Sequence, residues 1–203
     1  ILLILYTINY LYLKKNNNMM EILEKDKVNK NELNDILRNK LPLILTGEIE
    51  DWFIFNKNDK IDNNKLTDKI LKDNSYKLLY PLSIRKKINI INFNKDKTTK
   101  IIKENNTRHF LGVLSGKISV YLFNPDENIN FENNKKISKF NIYKEPKKFN
   151  KVKYNEIILN NEKLLYIPYN WWYCYNIIEN TKLININSES FFTLPIKLLF
   201  DKI

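Results

Sequence analysis

Apolar residues of this chain come mainly in short runs that polar turns separate, and helical spacing is confined to its front and its end. The runs predict β-strands over 42–47, 76–80, 88–93, 140–143, 152–159, 164–167, 174–178 and 182–186. The strand over 164–167 stops at Pro168, because proline has no N–H for a strand ladder. A turn at Glu179-Asn180-Thr181 joins the last two strands as in a β-hairpin corner. The pattern therefore predicts a mainly β, antiparallel domain.

Helical periodicity marks three segments. Apolar residues recur at helical spacing from Leu33 to Leu41, which predicts a short amphipathic helix that ends before Pro42. A second helix is expected over 63–72, with its leucines and isoleucine on one face. A third is expected within 190–203. The chain therefore combines N-terminal helices with a β domain.

The first residues carry a different pattern. Residues 1–13 are almost wholly apolar and rich in tyrosine, and Lys14 and Lys15 follow. Thirteen residues are too few to cross a bilayer, which takes about 20. Because the chain lacks an initiator methionine, two interpretations stay open: the end of a membrane anchor or uncleaved signal, and a peripheral strand or helix. We expect an anchor or signal segment at 1–15, a polar linker at 16–30 and one domain at 31–203, with membrane association through 1–13.

Composition narrows the functional classes. The 203 residues suffice for one well-cored domain, and 43% of them are hydrophobic, which excludes a disordered tail. Only 3 glycines are present, so no glycine-rich phosphate loop can be built. One cysteine, Cys174, excludes an internal disulfide and a cysteine zinc site, and we expect it to act as a small apolar strand residue. His109 is the sole histidine, so a site with two imidazoles cannot form.

The net charge of +11 would suit nucleic acid or an anionic surface. The Lys-rich stretch 133–148 is the candidate for such binding. The lysines are nevertheless scattered through the whole chain, and Lys, Asn and Ile dominate everywhere, as codon usage in an AT-rich genome would also produce. We therefore keep a basic nucleic-acid or anionic-surface binder only as an alternative.

Two blocks of sequence carry a family resemblance. Leu165-Tyr166-Ile167-Pro168-Tyr169-Asn170-Trp171-Trp172 resembles the iron-binding strand of JmjC-type and cupin-like 2-oxoglutarate oxygenases, where histidine comes next; here that residue is Tyr173. The segment 110–126 resembles the two central strands of that family, with Gly116 in a tight turn and Ile118, Val120 and Leu122 on one face. The resemblance spans 33–192 and implies a double-stranded β-helix, the cupin jelly-roll.

The same resemblance implies that the iron ligands are missing. Counting back from Gly116 puts Lys103 and Asn105 at the positions of the His-x-Asp pair, and Tyr173 takes the second histidine position. A protonated ammonium cannot ligate a cation, and a lone tyrosine is a poor ligand for ferrous iron at neutral pH. Ile118 stands where the family has the lysine that anchors 2-oxoglutarate. Asn187 matches an asparagine beside the metal in relatives.

The residue environments expected from this register are specific. His109 should be a strand histidine with a local hydrogen bond. Trp171 and Trp172 should point to opposite faces, one into the core and the other to a cleft or rim. The candidate pocket consists of Lys103, Asn105, Tyr173, Asn187, Ile118 and Trp171.

Three functions follow from these expectations. The favoured one is a degenerate, non-catalytic member of the family, a pseudoenzyme that acts as a scaffold or binding module for a protein or a small anion, without cofactor. The first alternative is a divergent hydroxylase that uses Fe(II) and 2-oxoglutarate through altered ligation. The second is the basic binder of nucleic acid or anionic surfaces.

Overall fold

A computed structural model describes residues 15–48 except 16 and 18, then 83–127, 136–138, 151–161 and 163–191, with isolated positions at 4, 7, 8, 11, 12, 68 and 78. These residues contain helix α1 (Lys30–Arg38), a 3-10 turn (Pro125–Glu127) and ten strands. The strands are β1 (Leu23–Asp26), β2 (Leu43–Thr46), β3 (Ser83–Phe93), β4 (Ile102–Lys103), β5 (Arg108–Ser115), β6 (Ile118–Phe123), β7 (Tyr154–Leu159), β8 (Lys163–Ile167), β9 (Trp172–Ile177) and β10 (Thr181–Ser190).

The strands form two sheets. The large sheet has the order β1-β2-β8-β5-β10-β3, and the small sheet has the order β4-β9-β6-β7. The pair β1–β2 is parallel, and all other described pairs are antiparallel. From β3 onward the chain crosses repeatedly between the sheets, so that strands distant in sequence become neighbours. This strand order is that of a jelly-roll, or double-stranded β-helix, and it confirms the predicted fold class.

An apolar cluster fills the space between the two sheets. β6 contributes Ile118, Val120 and Leu122, whose alternation was predicted, and all three are fully buried. The other members are Ile44, Leu111, Val113, Ile157, Leu159, Leu165, Ile167, Trp171, Tyr175, Ile177 and Leu183. Removal of this apolar surface from water is the main force that holds the two sheets together.

Helix α1 covers the other face of the large sheet. Its buried residues Leu33 and Leu37 belong to a second cluster, with Leu43, Leu45, Phe110, Leu114, Leu164, Ile184 and Ile186 among its members. Asn29 caps the helix, because its side-chain oxygen accepts a hydrogen bond from the Glu32 N–H at 3.0 Å. The predicted amphipathic helix is confirmed, and it ends at Arg38, ahead of Pro42.

The turns after β5 and β9 meet at one end of the barrel. Gly116 adopts φ 84°, and a Cβ there would lie 2.3 Å from the Asn180 carbonyl oxygen. The Lys117 carbonyl oxygen accepts the N–H groups of Ile178 at 3.0 Å and Glu179 at 3.2 Å. The two turns are therefore bonded to each other, and we call this region the pinned end.

The interpretation of β9 and β10 as a hairpin is wrong. β9 pairs with β4 and β6 in the small sheet, whereas β10 pairs with β3 and β5 in the large sheet. The turn over 178–180 is bonded to Lys117 rather than closing a two-stranded ladder, so it carries the chain from one sheet to the other.

Some other expectations change as well. The stretch 16–30, expected as a linker, contains β1, which pairs with β2, and Lys30 begins α1. Of the strand expected at 76–80 only Leu78 is described, and this residue is helical, so the strand is wrong there. Ser190 ends β10 rather than beginning a helix. The expectations over 63–72 except Asp68, over 140–143 and beyond Phe191 lie outside the described residues.

The N-terminal expectation stays a prediction. The helical positions Ile4, Ile8, Leu11 and Tyr12 are all exposed. No helix within the described residues is both long and apolar enough to cross a membrane. The Lys-rich stretch 133–148 is described only at 136–138, so binding of nucleic acid through it also stays a prediction.

Candidate functional site

The end of the barrel opposite the pinned end carries polar residues on its inner face. Leu183 of β10 is buried between the sheets, and alternation therefore turns Asn185 and Asn187 of the same strand inward. Tyr173 of β9 packs against the same inner cluster. All three keep partial solvent exposure, although they face the interior. Inward side chains that retain exposure mark an opening, and we call this region the open end.

A buried carboxylate and imidazole lie next to each other at the open end. Nδ1 of His109 bonds to Oε2 of Glu104, and both side chains are only 2% exposed. Nε2 of His109 lies 3.1 Å from the side-chain oxygen of Asn185. The second carboxylate oxygen, Oε1, accepts the backbone N–H and the side-chain amide of Asn106, each at 2.7 Å. Each polar atom of the pair therefore has a partner.

This geometry favours the imidazolium form of His109. Both ring nitrogens face side-chain oxygens, and only the imidazolium donates a hydrogen to each. Burial alone would lower the pKa of His109, but the charge of Glu104 and the two hydrogen bonds raise it above its ordinary value. Burial would likewise raise the pKa of Glu104, but the charge of His109 and the bonds from Asn106 hold it below its ordinary value. The two groups form a buried ion pair.

Tyr173 is a neutral phenol beside this pair. Its ring centroid lies 5.6 Å from that of His109, with the rings tilted by 55°. Burial, followed by the negative charge of Glu104, raises the pKa of Tyr173 well above its ordinary value. A phenolate is therefore disfavoured at this position.

Lys103 does not line the interior, so that part of the predicted pocket is wrong. Ile102 pairs with Tyr173, and Lys103 pairs with Trp172 on the opposite face. The Lys103 ammonium accordingly lies 5.5 Å from the Trp172 ring centroid. The positions that face inward are Ile102 and, beyond the end of β4, Glu104.

The error has a physical cause. Lys182 pairs with Ser115, whereas Leu183 pairs with Val113, which leaves Leu114 as an extra residue in β5. A count back from Gly116 crosses this bulge and then the turn before β5, so it cannot fix the register of β4. Asn105, placed by the same count, follows Glu104 in that turn and is partly buried.

Two further members of the predicted pocket are core residues. Ile118 pairs with Leu159 and Ile177 near the pinned end and is fully buried, far along β6 from the open end. The Trp171 side chain is 1% exposed and packs between the sheets. Their assignment to a pocket is wrong, because the apolar cluster already occupies their surroundings.

The two tryptophans point to opposite faces, as predicted, but neither lies at a rim. Trp172 is fully buried on the outer face of the small sheet with Ile101, Phe123, Val152 and Cys174. Burial raises the pKa of the Cys174 thiol, as expected for a small apolar strand residue.

Asn187 does reach the open end. Its backbone pairs with His109 on one side and with Lys87 on the other. Its side-chain oxygen is buried without a hydrogen-bond partner among the described residues. A buried acceptor without a donor is costly unless a ligand or water supplies one. Of the predicted pocket, the structure therefore brings together Tyr173 and Asn187, with His109 between them.

Glu104 and Asn185 were missed. Asn185 stands two residues before Asn187, so strand alternation alone puts both on one face. Glu104 precedes the sole histidine by five residues, across a turn, and is the nearest carboxylate in sequence to it. A buried histidine needs a partner, and that need was the available signal for Glu104.

The residues at the open end do not fit a ferrous ion. Within the described residues no group of three or more His, Cys, Asp and Glu side chains could hold a metal. The imidazolium has no free lone pair, and both oxygens of the Glu104 carboxylate already accept hydrogen bonds.

Comparison with known proteins adds little beyond this geometry. No family model and no curated protein matches the chain. Among solved structures, it is similar to a dTDP-sugar isomerase from Desulfovibrio desulfuricans G20, with 16% identity and a TM-score of 0.36. The match covers 51% of this chain and 57% of the isomerase, so it spans little more than half of that protein. The jelly-roll assignment therefore rests on the strand order of the chain itself.

Proposed function

We propose that this domain is a non-catalytic member of the JmjC and cupin-like class, a binding module in which an internal ion pair stands in place of the metal centre. The observation that carries the proposal is the double hydrogen bonding of His109, to Glu104 and to Asn185. A 2-His-1-carboxylate site needs two neutral imidazoles, and this chain has one histidine, whose pKa the Glu104 charge and two hydrogen bonds raise.

Loading a metal at the open end would require several changes at once. His109 would have to lose a proton and one hydrogen bond, and Glu104 would have to leave its bonds with Asn106. Each step removes a stabilising contact of a fully buried group. The ion pair therefore competes directly with metal binding.

The groups beside the ion pair suit a neutral polar ligand. The charges of Glu104 and His109 cancel, and the neighbouring inward groups on β9 and β10 are the Tyr173 phenol and two asparagine amides. Lys87 pairs with Asn187 and projects from the same face, exposed at the sheet edge, so the small anion expected from the sequence stays a prediction. The buried Asn187 oxygen accepts hydrogen bonds only, so the fitting ligand carries an N–H or O–H donor, as a peptide amide does.

Metal binding by the domain tests the proposal. We expect no change in Tm when Fe(II) or Mn(II) is added anaerobically together with 2-oxoglutarate, because no lone pair is free. A clear rise with both ligands would instead support the hydroxylase with altered ligation and would overturn the proposal.

A designed pair of variants gives this experiment a positive control. In Ile102→His/Tyr173→His, two imidazoles face inward beside Glu104, which recreates the 2-His-1-carboxylate set. In Lys103→His/Tyr173→His, the first imidazole lies on the opposite face. Both variants also carry His109→Asn, which releases Glu104. The first should bind Co(II), which is detected by its visible absorption bands, and the second should not. Equal binding by both sets would contradict the register on which the proposal depends.

A further inference from the structure

β3 forms one edge of the large sheet and is 11 residues long. It pairs with β10 along one side, and no strand within the described part of the chain pairs with its other side. Along such an edge, alternate residues direct their backbone N–H and C=O groups away from the sheet. β3 therefore presents a long backbone template for a further strand.

The edge is strongly basic at one end. Arg85, Lys86 and Lys87 are consecutive and all exposed. No described carboxylate forms an ion pair with any of them. Glu189, directly opposite Arg85, instead accepts hydrogen bonds from the Thr107 hydroxyl at 2.7 Å and the Thr107 N–H at 3.3 Å. The three cations are thus not neutralised by the described residues.

The opposite end of β3 is more apolar, and its faces are well defined. Ile88 and Ile90 pack on the α1 side of the sheet, so Arg85 and Lys87 project from the other face. Ile91, on the same face as Lys87, is 38% exposed. An added strand would therefore meet two positive charges two residues apart, then Asn89 and the apolar Ile91.

A second copy of this chain does not fit the edge. Two antiparallel β3 strands would bring six cations into one small interface, and the chain already carries a net charge of +11. Like charges across a strand pair are destabilising, and lysines on an edge are a common means of preventing self-pairing. The same charges favour a partner of opposite sign.

We propose that β3 is a docking edge for an extended acidic segment of another protein, which adds to the large sheet as a further strand. Backbone hydrogen bonds to β3 supply affinity. Acidic residues at positions i and i+2 face Arg85 and Lys87. The edge adjoins the open end, because Lys87 pairs with Asn187, but strand addition does not use the Glu104–His109 pair, so each proposal can fail without the other.

Fluorescence anisotropy with labelled ten-residue peptides tests the docking edge. The probe alternates glutamate and valine. One control alternates glutamate and proline, which keeps the charge but removes every second N–H and fixes φ at about −65°, so that a regular ladder is disfavoured. The other alternates lysine and valine. We expect the first peptide to bind and each control to bind at least about tenfold more weakly, because the probe alone supplies both ladder and charge.

Charge reversal in the protein locates the site. Arg85→Glu/Lys87→Glu should weaken binding of the Glu/Val peptide by about tenfold. Lys151→Glu/Lys153→Glu removes the same net charge at exposed positions next to β7 and should leave binding nearly unchanged. Both variants should keep the wild-type Tm, because the substituted side chains are exposed.

Several results would overturn the proposal. Equal binding of the Glu/Pro peptide would show charge attraction without strand addition. Equal weakening by the two charge reversals would show that net charge, and not β3, is responsible. Absence of binding of the Glu/Val peptide at low salt would exclude the docking edge. If the protein forms dimers in sedimentation and Arg85→Glu/Lys87→Glu abolishes them, the occupant of the edge is a second copy of the chain.

Discussion

His109 carries a positive charge inside the barrel because an acceptor oxygen faces each of its ring nitrogens. Desolvation of a charge is expensive, and only a close partner of opposite sign with good hydrogen bonds offsets it. Glu104 meets both conditions, and Asn106 in turn holds Glu104. The three residues form one short hydrogen-bonded network. If one of them is removed, the desolvation free energy of the remaining buried groups is no longer offset by its contacts.

Glu104→Gln should destabilise the domain strongly. It leaves the His109 imidazolium buried without a counter-charge, which typically costs about 3–5 kcal/mol. Urea unfolding measures the change in the free energy of unfolding. Glu179→Gln removes a carboxylate that is exposed at the pinned end, and it should change stability by less than about 0.5 kcal/mol. Similar small effects of both substitutions would show that the ion pair contributes little.

The ion pair should also give stability a defined pH window. The pKa of His109 is raised from 6.5, so its contribution is complete below pH 6.5 and is lost as pH rises through the folded-state pKa. The pKa of Glu104 is lowered from 4.5, so its contribution is complete above pH 4.5 and is lost as pH falls through the folded-state pKa. Both contributions are complete only between these two values.

The measurement is the free energy of unfolding against pH for the wild type and for Glu104→Gln/His109→Asn. Neither replacement titrates in this range, so the difference between the two curves isolates the pair. We expect the stability of the wild type, relative to the variant, to be greatest between pH 4.5 and 6.5 and to decline on either side. A difference independent of pH would mean that the pair is not charged.

Single residues were predicted unevenly from the sequence. His109 was expected to be a strand histidine with a local hydrogen bond, and the structure confirms this. Lys103 was assigned to the wrong face, because the count back from Gly116 crosses the irregular turn between β4 and β5, where strand alternation does not hold. Glu104 was missed for the same reason, since no spacing rule carries a register across an irregular turn.

Strands and α1 were predicted well where a local pattern was enough. The alternation of Ile118, Val120 and Leu122 specifies a strand with one buried face, and leucines at helical spacing specify α1. The sheet to which each strand belongs could not be predicted from a local pattern. β9 and β10 are close in sequence but lie in different sheets, because the turn between them bonds to Lys117.

Gly116→Ala should be among the most damaging single changes at the pinned end. Gly116 has a positive φ, and the added Cβ would lie 2.3 Å from the Asn180 carbonyl oxygen, a backbone atom that cannot easily move. Backbone strain and overpacking together should cost about 3 kcal/mol. Urea unfolding measures this cost.

Gly47→Ala is the matched control. Gly47 has φ 70°, so the backbone strain is similar, but its nearest neighbour is the side-chain Cε of Lys27 at 2.8 Å. A lysine side chain can move aside, so this variant should lose only the strain, about 1–2 kcal/mol. Equal losses in the two variants would mean that contact between the two turns adds nothing.

At the scale of the whole molecule, the described strands follow the architecture that the family resemblance implied. The two sheets and their strand order form the expected double-stranded β-helix. What the resemblance could not provide is the outer boundary of the large sheet. β1 extends it through polar residues that looked like a linker, and β3 extends it at the other edge for 11 residues, although only 88–93 was expected as strand.

Hydrogen exchange should reveal the asymmetry of the large sheet. β5 has a paired strand on both sides, so its amides should exchange slowly. About half of the β3 amides face away from β10 and should exchange much faster. Amide exchange followed by NMR resolves the two groups. Uniform protection along β3 would show that another segment covers it, and the docking edge would then not exist.

The bonds between the turns after β5 and β9 have a mechanical consequence. Lys117 ties together segments about 60 residues apart in sequence, so the two sheets are fastened there by backbone atoms. At the other extremity the turns after β4 and β8 are bonded in the same way, since the Glu104 N–H donates to the Trp171 carbonyl oxygen at 2.7 Å and the Asn170 N–H donates to the Glu104 carbonyl oxygen at 2.9 Å. The side-chain bond between Glu104 and His109 adds a further link there. The two sheets are therefore held together at both extremities, and entry of a molecule beside Tyr173 and Asn187 does not depend on their separation.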